Sequence, residues 1–157
     1  MSKKPDALKK KIKEHSDELA KLGMGLAKNQ FSYKVEEKTA KEYWQKRKND
    51  FKKYNEKGSE YYNKIYTLMN LINKEESQMF LLRIAKFRNL GLELIKIIEK
   101  IEKNPSVINS KDKQQSQWSK KIRAEITDQS NSCLNYEKDM NASFREFYEK
   151  HIKEILE

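Results

Sequence analysis

The stretch from Ala40 to Ile72, AKEYWQKRKNDFKKYNEKGSEYYNKIYTLMNLI, decides the fold. One ladder runs through it at alternating steps of four and three: Ala40, Trp44, Arg47, Phe51, Tyr54, Gly58, Tyr61, Ile65, Leu68, Ile72. Only Arg47 and Gly58 interrupt its apolar character. Such spacing keeps one stripe of a long helix turned toward a partner helix. The surrounding positions are mostly Lys, Glu and Asn, which suit the wet side of the same rod.

Working toward the N-terminus, Pro5-Asp6 marks a helix start, a proline followed by an acid. The stripe Leu8, Ile12, His15, Leu19, Leu22, Leu26 follows, and Gly23 and Gly25 weaken its end. A turn is expected at Asn29 to Ser32. Toward the C-terminus a second ladder, Phe80, Ile84, Phe87, Gly91, Leu94, Ile98, Ile101, is out of phase with the first. Asn73-Lys-Glu-Glu76 between them has the form of a capping box, Asn73 taking an amide and Glu76 reaching back. Asn104-Pro105 closes the third helix. The polar segment 104–113 is the linker to a last stripe: Trp118, Ile122, Ile126, Gln129, Cys133, Tyr136, Met140, Phe144, Phe147, His151, Ile155.

The expectation is therefore all-α: an elongated antiparallel bundle of about four helices in one domain spanning 1–157, with coiled-coil-like packing. The helices are placed at about 6–28, 33–72, 74–103 and 113–156, two of them very long. Only four Gly and two Pro punctuate the 157 residues, too few for the turns of a sheet protein. Apolar residues at 36% and charged residues at 37% would fit disorder if scattered, but here they are periodic. Helices of such unequal expected length leave apolar stripe uncovered. That predicts self-association or a docked partner protein.

The formal charge is +10 and uneven. Residues 1–57 hold 17 basic and 9 acidic side chains, and the remainder 17 and 15. The basic excess suits an acidic partner. Lys41, Lys46, Arg47, Lys48, Lys52, Lys53 and Lys57, with Lys9, Lys10 and Lys13, are the candidate anion- or partner-binding residues. Tyr33, Tyr43, Trp44, Phe51, Tyr54, Tyr61, Tyr62 and Tyr66 interleave with the first group. Aromatics beside cations can stack nucleic-acid bases, yet aromatics at helical spacing are more often core. By the heptad count Trp44, Phe51, Tyr54 and Tyr61 face inward, and Tyr33, Tyr43, Tyr62 and Tyr66 flank them. Arg47, on the stripe, is expected to snorkel to the surface.

Catalytic signals are sparse. His15 and His151, the only histidines, lie on apolar stripes without spaced partners. Cys133 is alone, so no internal disulfide forms, and its stripe position predicts an inert, buried thiol. No Cys–His metal spacing occurs. Asn141-Ala-Ser143 has the form of a glycosylation acceptor but falls mid-helix. No apolar run is long enough to span a membrane. Met1-Ser-Lys-Lys-Pro lacks the apolar core of a signal peptide, so an intracellular, cytoplasmic location is expected. No cofactor, no metal and no small-molecule substrate is expected.

Two resemblances accompany this reading. The long basic helices resemble the BAR-type membrane-curvature modules, which implies a dimer on anionic membrane. Ala7 to Leu22 followed by the Trp44 and Phe51 helix resembles the N-terminal helical hairpin of insect retroelement Gag proteins, which implies assembly and nucleic-acid packaging. No later segment resembles a capsid domain or zinc knuckle. The residues by themselves favour a non-catalytic helical interaction or scaffold module. It self-associates or docks a partner protein through its heptad stripes, and its basic patch serves an acidic partner.

Overall fold

The computed structural model describes residues 6–28, 32–109 and 113–156, and among them every regular element is helical. Helix α1 spans Asp6–Lys28, α2 Lys41–Ile72, α3 Lys74–Lys103 and α4 Lys113–Phe147. A single 3-10 turn, Pro105–Asn109, precedes α4. A π-helical turn, Tyr148–Ile152, and a last α turn, Lys153–Leu156, continue it. Neighbouring helices run antiparallel, α1 on α2, α2 on α3 and α3 on α4, and the end of α4 returns to α1. The described residues form an all-α bundle of four helices.

The α2–α3 hairpin is its backbone. Asn73 is the one residue between the two helices, and its Oδ1 accepts the Glu76 amide at 3.1 Å, as the capping motif predicts. The other half of the capping box differs. The Asn73 amide is used by Met69 O, which frees the Glu76 carboxylate to meet His151 Nε2 at 2.8 Å and Lys150 Nζ at 3.6 Å. A residue placed to cap one helix thus pins the end of another.

Two apolar clusters lie in series along the hairpin. One gathers Ile12, Leu19, Tyr62, Ile65, Leu68, Phe80, Phe87, Met140 and Phe147. The second gathers Trp44, Phe51, Tyr54, Leu94, Ile98, Ile101, Ile108, Ile126 and Cys133. Trp44 and Phe51 are fully covered, as their place on the ladder requires. Gly58 and Gly91 both lie at close contacts. A Cβ on Gly58 would come within 3.0 Å of the Phe87 ring.

Several expectations need correction. Helix α2 begins at Lys41 rather than at 33, and residues 32–40 form no regular element, with Ala40 extended. Carbonyls there that a helix would bond internally are taken by side chains instead. Trp44 Nε1 donates to Lys38 O at 2.6 Å, and Arg47 donates to Ser32 O at 2.6 Å and Lys34 O at 2.8 Å. Arg47 does leave the core stripe, but to hold this strap. The expected turn at 29–31 lies outside the described residues.

Starting α2 later makes α2, α3 and α4 similar in length, at 32, 30 and 35 residues. The strap then covers the half of α2 that the 23-residue α1 does not reach, with Tyr33 and Val35 against the second cluster. Apart from Ala40 and Trp118, the α2 and α4 stripes expected to stay partly bare are covered within the chain. Tyr62, placed beside the stripe, is buried at 1% exposure, whereas Tyr61 is half-buried. Helix α2 packs against α1 and α3 at once, so its buried arc is wider than a two-helix seam. Trp118, placed on the last stripe, is 59% exposed. The 3-10 turn buries Ile108 in the second cluster, and the Ser119 hydroxyl, not the tryptophan beside it, turns inward and donates to Val107 O.

Candidate functional site

The ten cations singled out from the sequence do not form one patch. Lys9, Lys10 and Lys13 are exposed on α1, where Leu8 and Ile12 join the first cluster. The other seven lie on the half of α2 beside the second cluster. Antiparallel packing sets Glu18 beside Lys64 and Gly23 beside Tyr61, so the start of α1 lies beside the end of α2. Lys13 is thus offset along α2 from Lys53 by roughly 25 Å at ~1.5 Å per residue.

Two of the seven are consumed within the fold. Lys48 pairs with Glu102, both side chains mostly covered, and Lys52 lies 3.8 Å from Glu99. Arg47 holds the strap. Among the described residues, no carboxylate lies within ion-pair distance of Lys41, Lys46, Lys53 or Lys57. Lys46, Lys53 and Lys57, seven and four apart, share one face.

The aromatics interleaved with them are not a stacking platform. Trp44, Phe51, Tyr54 and Tyr62 are buried. Tyr43 is half-buried with its ring edge-on to Trp44, and Lys38 lies 5.2 Å from the Tyr43 ring centre. Tyr66 is half-buried and accepts from Gln78.

What the tyrosines line instead is a cleft of about 790 Å³ between α1, the strap, α2 and α4. Tyr33, Tyr54, Tyr61, Tyr62, Phe144 and Tyr148 form its walls. Glu137 of α4 lies among them, half-buried, and both its oxygens accept phenolic hydroxyls. Tyr33 donates to Oε2 at 3.0 Å, and Tyr54 donates to Oε1. Tyr62 donates to Asn141 Oδ1 at 2.8 Å, one turn along. Burial first, and the Glu137 charge second, hold the Tyr33 and Tyr54 hydroxyls well above the ordinary tyrosine range. The same two causes push the Cys133 thiol up to about 12. The cations at the cleft, Lys138 and Arg145, are exposed, and among the described residues none is within ion-pair distance of Glu137.

The sequence reading missed Glu137 because it stands alone on α4 among ordinary surface acids. Its partners come from the strap and α2, 104 and 83 residues away. Neither histidine joins the cleft. His151 is bound to Glu76, and His15 is half-buried on α1. Among the described residues no three His, Cys, Asp or Glu side chains cluster as metal ligands, and no helix is long and apolar enough to cross a membrane.

The second feature lies on the outside of α3. Gln78, Leu82, Ala85, Asn89, Leu92 and Lys96 repeat at steps of four and three, offset by two from the buried ladder of the same helix. Leu82 is 74% and Leu92 48% exposed, and Leu81 and Met79 flank them in the open. A groove beside Asn89 and Leu92 separates this face from Asn55, Ser59 and Asn63 of α2. The spacing was present in the sequence, but the stronger buried ladder of the same helix masked it. No protein family, curated protein or solved structure matches this chain.

Proposed function

We propose that this protein is a non-catalytic helical interaction module that pairs with a second copy of itself along the outer face of α3. The observation that carries the reading is the exposed seam Leu82, Ala85, Asn89, Leu92, which is uncharged over three turns of a chain that is otherwise 37% charged.

The flanking charges favour a parallel pair. Arg88 and Glu93 border the seam on opposite sides and are five residues apart, the offset at which such positions meet across a parallel two-helix interface. Two Arg88–Glu93 pairs would then close over Asn89 and its copy, which bond to each other. An antiparallel pair would set Arg88 near its own copy instead. A polar Asn at such a layer selects two parallel strands at a cost in affinity. With so few apolar layers the interface is small, and an affinity of about 1–100 μM is expected.

Sedimentation across that concentration range tests it. The mass should rise from 18.8 kDa toward twice that value. Leu82→Glu with Leu92→Glu should hold it at the monomer with an unchanged melt. N89C should form a disulfide-linked dimer on mild oxidation, because the native Cys133 is buried and free. A chain that stays monomeric throughout overturns the reading. The unpaired face of Lys46, Lys53 and Lys57 supports the second part of the proposal, attraction to an acidic partner. It predicts binding that weakens as salt rises. Binding to nucleic acid or anionic membrane is the alternative reading, and the buried aromatics give it no stacking surface.

A further inference from the structure

We propose that the tyrosine-walled cleft binds a small organic cation, a quaternary or alkylated ammonium, with Glu137 as its counter-charge. This departs from the expectation that the chain has no small-molecule partner, and it does not depend on pairing through α3.

Glu137 is half-buried, and its two bonds come from neutral phenols, which orient a carboxylate without neutralising it. A carboxylate withdrawn from water is ordinarily matched by a cation. Here, among the side chains described, no Lys or Arg lies within ion-pair distance of it. The charge is felt locally: after burial it is the largest cause raising Tyr33, Tyr54, Tyr62 and Cys133.

The surroundings then decide which cation fits. A hard metal ion needs several oxygen ligands, and the cleft offers one carboxylate. A bare primary ammonium needs acceptors for three protons, and the two hydroxyls leave Glu137 about two of its four acceptor sites. An alkylated ammonium asks for no hydrogen bonds. It spreads its charge over methyl groups that lie well against ring faces. The walls supply such rings in pairs: Tyr61 and Tyr62 at 5.3 Å, Tyr33 and Tyr54 at 6.4 Å, Phe144 and Tyr148 at 6.3 Å. Lys138 and Arg145 at the edge disfavour polycations. They favour a ligand whose other end is neutral or anionic, such as a betaine.

Calorimetric titration of the full chain with choline, trimethylglycine and 3,3-dimethyl-1-butanol tests the proposal, the alcohol being the uncharged analogue of choline. The expected result is saturable binding of the two quaternary ammonium compounds at millimolar concentration or below, with the alcohol at least about tenfold weaker. Glu137→Gln keeps the side chain's shape and removes its charge. It should weaken choline about tenfold while leaving dimerisation through α3 unchanged. The comparison of choline with the alcohol uses the unaltered chain, so it holds even if E137Q folds poorly. No saturable binding of either quaternary ammonium compound by about 10 mM, or equal binding of choline and the alcohol, overturns the proposal.

Discussion

Asn55 of α2 and Gly91 of α3 meet where no side chain can be added: a Cβ on Gly91 would lie 2.3 Å from Asn55 Oδ1. Gly91→Ala gains about 1 kcal/mol of helix propensity. It must also displace the Asn55 amide, which is buried at 7% exposure, and overpacking of this kind costs about 1–3 kcal/mol. The expected outcome is a net loss of about 1 kcal/mol, read as a lower urea midpoint. Most of it should return when Asn55→Ala is added, because the two sites share one contact. At Gly25 a Cβ would meet nothing within 4 Å, so Gly25→Ala should raise the midpoint. A raised midpoint for Gly91→Ala as well would show that the Asn55 contact is loose.

Alkaline pH should unfold the protein early. Tyr33, Tyr54 and Tyr62 are raised above the ordinary 10.0, by burial first and by the Glu137 charge next. In the unfolded chain they ionise near 10, so the folded state holds protons that the unfolded state has lost. Their contribution is whole below pH ~10 and falls as the pH climbs toward the folded values, by about 1.4 kcal/mol per pH unit for each group. Ultraviolet titration should therefore show some of the eight tyrosines ionising only as the helical circular dichroism disappears. All eight ionising near pH 10 in a chain that keeps its helices would contradict the buried network.

The Cys133 thiol should resist modification. It is 4% exposed, lies 3.4 Å from Leu90 O as a donor, and is held near 12. Since the thiolate is the reactive form, a disulfide reagent at neutral pH should react far more slowly than with a free cysteine. The rate should climb with urea, following the opening of the second cluster. Immediate reaction in the absence of denaturant would place the thiol at the surface.

The two tryptophans should separate cleanly. Trp44→Ala removes a fully covered ring and should cost about 3–5 kcal/mol. Trp118→Ala alters an exposed one and should stay within about 0.5 kcal/mol. Tyr62→Ala should likewise cost more than Tyr61→Ala. Chemical unfolding curves of the four variants give the ranking directly, and an equal cost for Trp44 and Trp118 would overturn the exposed placement of Trp118.

The helical class and the α2–α3 hairpin were legible because periodicity is a local property, and Trp44, Phe51, Phe80 and Ile98 each lie where their spacing puts them. The start of α2 was not. Residues 32–40 hold no proline or glycine to announce an extended path, and the bonds from Trp44 and Arg47 that fix it are tertiary. Trp118 failed for the same reason, since the bond that turns its neighbour Ser119 inward is made to Val107 of the preceding turn. Glu137 was beyond reach from spacing alone: a carboxylate on a charged helix shows no sign that two distant tyrosines will close on it.

The strap has one more consequence. Its backbone joins no helix or sheet, and it is held from outside by Trp44, Arg47, Tyr33 on Glu137, and the Arg123–Glu37 pair. The same segment that roofs the second cluster also bounds the tyrosine cleft. Peeling it back would wet Phe51 and Tyr54 and take one of the two phenol bonds off Glu137 in a single event, so core and cleft share one cover.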